Sequence, residues 1–215
     1  MEKVENYYED SDDGLSQDII DSLDESYWET LDHIDCENQK KVLICFSGAS
    51  GVGKSSLAEV LSAELSAIRI ENDGIKEVLL ELYNLESVDE EYRRYVWQYS
   101  MHLYRSIDKR TPNGVIVRDG MIDYYHDQIF PIFEEKGYQI IIIGFDLSHD
   151  FIESKIKERG DKEWVSAEKL VEILPMQIEM IAKFREMHEP NYLVTEENWG
   201  QWKQIAQDMS VDLSQ

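Results

Sequence analysis

Eight consecutive residues, Gly48-Ala49-Ser50-Gly51-Val52-Gly53-Lys54-Ser55, satisfy the pattern G-x-x-x-x-G-K-[ST] at each fixed position. Handling a polyphosphate is the chemistry that uses all of these residue types. Glycines let backbone N–H groups curl around an anion, lysine reaches the β- and γ-phosphates, and the serine hydroxyl can ligate Mg²⁺. A second candidate is Asp73, nineteen residues beyond Lys54. A carboxylate there can orient an acceptor hydroxyl and take its proton as the oxygen attacks the γ-phosphate. Capping the following helix is a simpler job for the same residue, and the two are compatible. Lys76, one helical turn on, could grip a substrate anion or the transferring phosphoryl group.

The elements that must position these residues are legible around them. Lys41–Ser47 is apolar enough for a buried strand, and Ser56–Leu65 sets Leu57, Leu61 and Leu65 on one helical face. Strand, glycine loop and helix start are the context a phosphate loop needs, and the helix N-terminus adds partial positive charge. Ala67–Ile70 reads as a second strand ending at Glu71-Asn72-Asp73-Gly74. In a parallel sheet the carboxyl ends of strands share one edge, so Asp73 is expected to face the loop's cleft. Residues 90–109 form a long helical pattern whose Tyr92, Tyr95, Val96, Tyr99 and Leu103 read as core packing. Pro112-Asn113-Gly114 makes a turn before the strand Val115–Val117, which leads into Arg118-Asp119-Gly120. Helices over 124–136, 149–159, 166–188 and 198–209 then alternate with strands at Tyr138–Phe145 and Tyr192–Val194. Five strands alternating with helices imply an α/β fold: a parallel sheet with helices on both faces and right-handed crossovers.

The net charge of −24 is unevenly spread: residues 1–40 hold 14 Asp+Glu against 2 Lys+Arg, half of the excess. Residues 1–39 read as an acidic extension before a domain over 40–215. Met1–Gly14 is expected to be disordered. Residues 15–34 form a helix with an apolar stripe of Ile19, Ile20, Leu23, Tyr27, Leu31 and Ile34. That stripe must rest on something: the catalytic domain, a partner protein, or the nucleotide cleft. An acidic surface repels phosphate backbones, so bulk nucleic acid is not an expected partner. The longest apolar run, Ile140–Ile143, has strand length, and no stretch approaches the roughly 18 residues of a membrane helix. The acidic N-terminus lacks the features of a signal peptide, which gives a cytoplasmic expectation. Cys36 and Cys45 make no disulfide framework, and Cys45 reads as a buried free thiol. His126, His149 and His188 have no metal-ligand spacing and read as surface histidines.

Other residues narrow the kind of nucleotide protein. No Asn-Lys-x-Asp base-reading motif of a GTPase is present, and Asp119 is followed by Gly120, not by the Glu that activates water in motor ATPases. That favours transfer over hydrolysis. Arg118 could bind a substrate phosphate or make a salt bridge at the strand end.

The series Gly48–Ser55, Asp73-Gly74-Ile75-Lys76, Val115–Asp119 and Lys155-Ile156-Lys157-Glu158-Arg159 resembles the small phosphate-loop kinases. It looks most like their zeta-toxin and polynucleotide-kinase-like branch, with the chloramphenicol phosphotransferases, and like archaeal-type 2-phosphoglycerate kinase. The resemblance covers roughly 41–200. It implies a five-stranded parallel sheet in the order 2-3-1-4-5 and a helical lid whose arginines close on the phosphates. Arg159 falls where such an arginine is expected, with Lys162 as a second lid cation. Lys76 stands where the group has an arginine, keeping the charge without the bidentate fork. By the same resemblance Asp119 helps hold Mg²⁺ or binds substrate, and Thr195 approaches the adenine ring. The implied protein is a kinase using ATP and Mg²⁺, with Gly48–Ser55 and Ser56 on the nucleotide. Its acceptor is a hydroxyl of a small metabolite or nucleotide-like molecule. Two alternatives stand beside it: a nucleotide-gated regulator whose acidic helix contacts a partner protein, and a zeta-toxin-like nucleotide-sugar kinase.

Overall fold

The computed structural model describes residues 15–31, 40–83, 90–110, 114–161 and 165–214. Readings at Met1–Gly14, Ile34, Cys36, Pro112, Asn113 and Lys162, and at the side chains of Leu31 and Tyr92, lie outside the described residues. In chain order the elements are α1 (Gln17–Leu31), β1 (Val42–Ser47), α2 (Lys54–Glu64), β2 (Ile68–Glu71), α3 (Asn72–Tyr83), α4 (Glu90–Arg110) and β3 (Val115–Met121). They continue with α5 (His126–Glu135), β4 (Gln139–Asp146), α6 (His149–Arg159), α7 (Ala167–Met187), β5 (Tyr192–Thr195) and α8 (Trp202–Ser214). Two compact units result: one holds α1, α3 and most of α4, and the other holds the strands with the remaining helices.

The strands form a single parallel sheet in the order β2-β3-β1-β4-β5. This is the α/β fold of phosphate-loop NTPases. Every residue of β1 is buried, which follows from its central place and explains its uninterrupted apolar sequence. Leu57 and Leu61 of α2 join Ile44, Phe46, Val117, Ile143, Ile156 and Leu174 in the core of this unit. Burying each such side chain contributes about 1.5–3 kcal/mol. Cys45 is a free, buried thiol, and burial pushes its pKa up to about 12.

In the other unit α1 packs against α3 and α4. Leu23, Tyr27 and Trp28 are buried, and Tyr27 meets Tyr99 edge-on at 6.0 Å. Asp24 accepts a hydrogen bond from the Tyr99 hydroxyl at 3.0 Å and lies 3.2 Å from His102 Nε2. Tyr99 and Leu103 are fully buried, in keeping with core packing along α4.

Two of the boundaries that differ from the sequence pattern have a clear local cause. α3 begins at Asn72, so Asp73 lies in its first turn, where a carboxylate suits the helix dipole, and not ahead of the helix. The last helix starts at Trp202 because a turn precedes it: Asn198 Oδ1 accepts from Thr195 N at 2.8 Å, and Gly200 has φ +84°. The surface reading holds for His149, which is exposed, and is corrected for the other two histidines. His126 and His188 have ring centroids 4.9 Å apart and both pack against Phe130 and Phe184. Apolar neighbours create this pocket, and sequence spacing did not reveal it.

Burial and the adjacent His126 hold the His188 pKa below the ordinary histidine value, with Glu134 opposing. The folded protein therefore binds fewer protons here than the unfolded chain, and stability rises with pH through the window below about 6.5. Urea midpoints measured between pH 5 and 7 should fall on the acid side, and His188→Phe should flatten that part of the curve relative to the parent protein.

Candidate functional site

The chain leaves β1 at Ser47 and enters α2 at Lys54 through the glycine loop. Gly51 and Gly53 have φ of +84° and +97°, a region closed to most L side chains. Their surroundings are equally restrictive. A Cβ on Gly51 would sit 2.8 Å from Ile156 Cγ1 of α6, and one on Gly53 would sit 2.9 Å from Trp202 Cζ2 of α8. Gly53 is the N-cap of α2 and offers no side chain to its N–H groups, so the first turn is open to an anion.

Lys54 is buried, and its ammonium donates to the carbonyls of Gly48 and Ala49 at 3.0 and 2.5 Å. Burial pulls its pKa down to about 8, while Asp123 and Asp119 push it back up. A phosphate in reach of the ammonium would favour the charged form further. Ser55 Oγ donates to Asp119 Oδ1 at 3.1 Å, and Arg69 holds Asp119 Oδ2 at 2.6 Å.

Asp119 reaches this position through a bulge. Ile44 and Phe46 of β1 stand opposite Val117 and Met121 of β3, so β3 carries extra residues past β1 while Arg118 and Asp119 stay paired with Ile70 and Glu71 of β2. Arg118, inside the bulge and 1% exposed, donates to the Met121 carbonyl at 3.1 Å.

The donor set fits Mg²⁺. Two neighbouring ligand oxygens around an octahedral ion with bonds of about 2.1 Å stand roughly 3 Å apart. That is close to the Ser55–Asp119 spacing of 3.1 Å. No cluster of three or more acidic, His or Cys side chains suited to a metal occurs among the described residues. Mg²⁺ bound mainly by phosphates and water does not need one.

A cleft of about 370 Å³ opens over the loop, lined by Gly51, Gly53, Lys54, Ser55, Ser56, Lys155, Glu158, Arg159 and Trp199. The glycine loop, the start of α2 and the cationic end of α6 meet here. Arg159 is thus brought to the same cleft as Lys54. Thr195 is not among its lining residues. Trp199 is, donating from Nε1 to the Val52 carbonyl at 2.8 Å, with the Lys155 ammonium 4.4 Å from its ring centroid. A tryptophan in an otherwise polar turn after a strand end was the available signal. Asp73 and Lys76 stand on α3 of the other unit, where they form an ion pair at 2.7 Å.

Sequence reasoning also missed the supports of the loop. Asp123, 4% exposed, accepts from Ser47 Oγ at 2.7 Å and from Gly48 N at 3.2 Å. Arg185 of α7 donates to Ser47 Oγ at 3.2 Å and to the carbonyls of Ser47 and Phe145. Gln177 of α7 bonds Ser50. Removing one partner of such a buried network strands the others without water. Asp123→Ala should therefore lower unfolding free energy by about 3 kcal/mol, read as a drop in urea midpoint, with Asp123→Asn costing less.

A family model described as an AAA domain matches residues 43–174. The solved structures similar to this chain include the following three. One is a chain from the PezAT chromosomal toxin–antitoxin system of Streptococcus pneumoniae, with 12% identity, 93% of this chain and 96% of that one covered, and a TM-score of 0.62. Another, from Chloroflexus aurantiacus and assigned as a kinase, has 18% identity, 82% and 98% coverage, and a TM-score of 0.56. The third, shikimate kinase from Bacteroides thetaiotaomicron, has 14% identity, 81% and 99% coverage, and a TM-score of 0.54. At these identities the likeness is one of fold. Comparison with curated proteins found no significant match.

Proposed function

The chain belongs to the AAA domain family, and we propose that it is an ATP- and Mg²⁺-dependent phosphotransferase acting on a hydroxyl of a small metabolite or nucleotide-like acceptor. The observation that carries this reading is the cleft in which Lys54, Ser55 and the open first turn of α2 meet Arg159. Positive groups converge there on the volume a triphosphate tail would fill, and phosphoryl transfer is mainly positioning plus charge stabilisation. The loop amides and Lys54 hold the β- and γ-phosphates, and Arg159 stabilises charge as the γ-phosphoryl moves. Ser55 and Asp119 would hold Mg²⁺, which supplies neutralisation of phosphate charge when bound. Asp73, two residues beyond the end of β2, orients the acceptor hydroxyl and accepts its proton, with Lys76 gripping an anionic group of the acceptor. A shikimate kinase on the same fold is in keeping with a small hydroxyl acceptor.

Incubation of the purified protein with γ-labelled ATP, Mg²⁺ and fractions of a metabolite extract should move label to an acceptor, and chelation of the metal should stop it. Hydrolysis of ATP that needs no acceptor and is unchanged in Asp73→Ala would refute the assignment.

A further inference from the structure

α7 buries Leu170, Leu174, Ile181 and Phe184 along one face, and Gln177 sits in that stripe, 4% exposed. An amide in an apolar stripe must find partners or be costly. Gln177 finds both on one residue of the glycine loop. Its Oε1 accepts from Ser50 N at 3.0 Å, and its Nε2 donates to Ser50 Oγ at 3.0 Å. The Ser50 N–H belongs to the Ala49–Ser50 peptide, whose carbonyl is the one that takes the Lys54 ammonium at 2.5 Å. A peptide unit is planar, so fixing its N–H side fixes the direction of its carbonyl. Gln177 and Lys54 therefore grip opposite edges of one rigid plane.

We propose that Gln177 is a positioning residue for Lys54: by pinning the Ala49–Ser50 peptide from behind, it aims the Ala49 carbonyl at the ammonium and so places that charge for the phosphates. Gln177 is not among the residues lining the cleft, and it is uncharged, so its influence is one of geometry. The proposal rests on the nucleotide-binding reading above.

The test is a double-mutant cycle on affinity for ATP with Mg²⁺, measured by competition against a fluorescent nucleotide up to millimolar concentrations. Gln177→Met keeps the volume and removes both hydrogen bonds. It should weaken binding by about tenfold in the parent protein. In a Lys54→Ala background the same change should cost less than about twofold, because the group it positions is gone. A Gln177 that merely packs α7 would lower thermal stability and leave affinity unchanged, or would give equal losses in both backgrounds. Either result overturns the proposal. Should Gln177→Met not fold, Ser50→Ala removes the hydroxyl contact alone and is expected to give about a threefold loss, again absent beside Lys54→Ala. An unchanged affinity in Ser50→Ala then counts against the proposal. If the parent protein itself shows no competition, the nucleotide-binding reading fails and this inference fails with it.

Discussion

Lys54→Ala should slow phosphotransfer by about a thousandfold, close to 4 kcal/mol of transition-state stabilisation. The side chain lies under the glycine loop, its ammonium held by the carbonyls of Gly48 and Ala49. Those contacts orient the charge, but two carbonyl dipoles leave it undercompensated in a buried setting, as its depressed pKa reflects. Charge building on the transferring phosphoryl oxygens would complete the neutralisation, so the interaction strengthens as the reaction proceeds. Alanine removes the donor and leaves the loop to hold phosphate through its amides. Single-turnover measurements with γ-labelled ATP would separate this from an effect on binding. A rate within tenfold of the parent protein would contradict the role.

Asp73→Asn should reduce kcat by about 10²- to 10⁴-fold while KM for ATP stays within roughly threefold, since the amide keeps the shape but cannot accept a proton. The carboxylate is 53% exposed and paired with Lys76 at 2.7 Å, accessible to an incoming hydroxyl and already oriented by a cation. A matching rise in KM for ATP would instead place Asp73 in nucleotide binding. An unchanged kcat would reduce it to a first-turn carboxylate favoured by the dipole of α3.

Much of the fold could be read locally. Uninterrupted apolar runs such as Leu43–Phe46 and Ile140–Ile143 have only one comfortable home, the interior of a parallel sheet, and they lie in β1 and β4. The start of α2 at Lys54 follows from a glycine that adopts φ +97° and cannot continue as strand. The exposed start of α8 was harder to place, because one side-chain bond from Asn198 and the conformation of Gly200 decide it.

The candidate site divides along the same line. Gly48–Ser55 declares itself because its function resides in backbone conformation and in adjacent residues, both properties of a short stretch of chain. Asp123 and Gln177 do not, since each acts on the loop from 75 and 127 residues away. A lone aspartate in a loop and a glutamine in an apolar stripe acquire meaning only when packing brings them to Gly48 and Ser50. Asp119 is intermediate. Its place near a strand end could be read from the chain, but the bulge that turns it toward Ser55 is a matter of register between β1 and β3. Local sequence thus determined the phosphate loop and the strands that carry it. Tertiary structure alone decided which distant side chains hold the loop in shape, because they meet their partners, loop backbone groups and serine hydroxyls, only through packing between residues far apart in the chain.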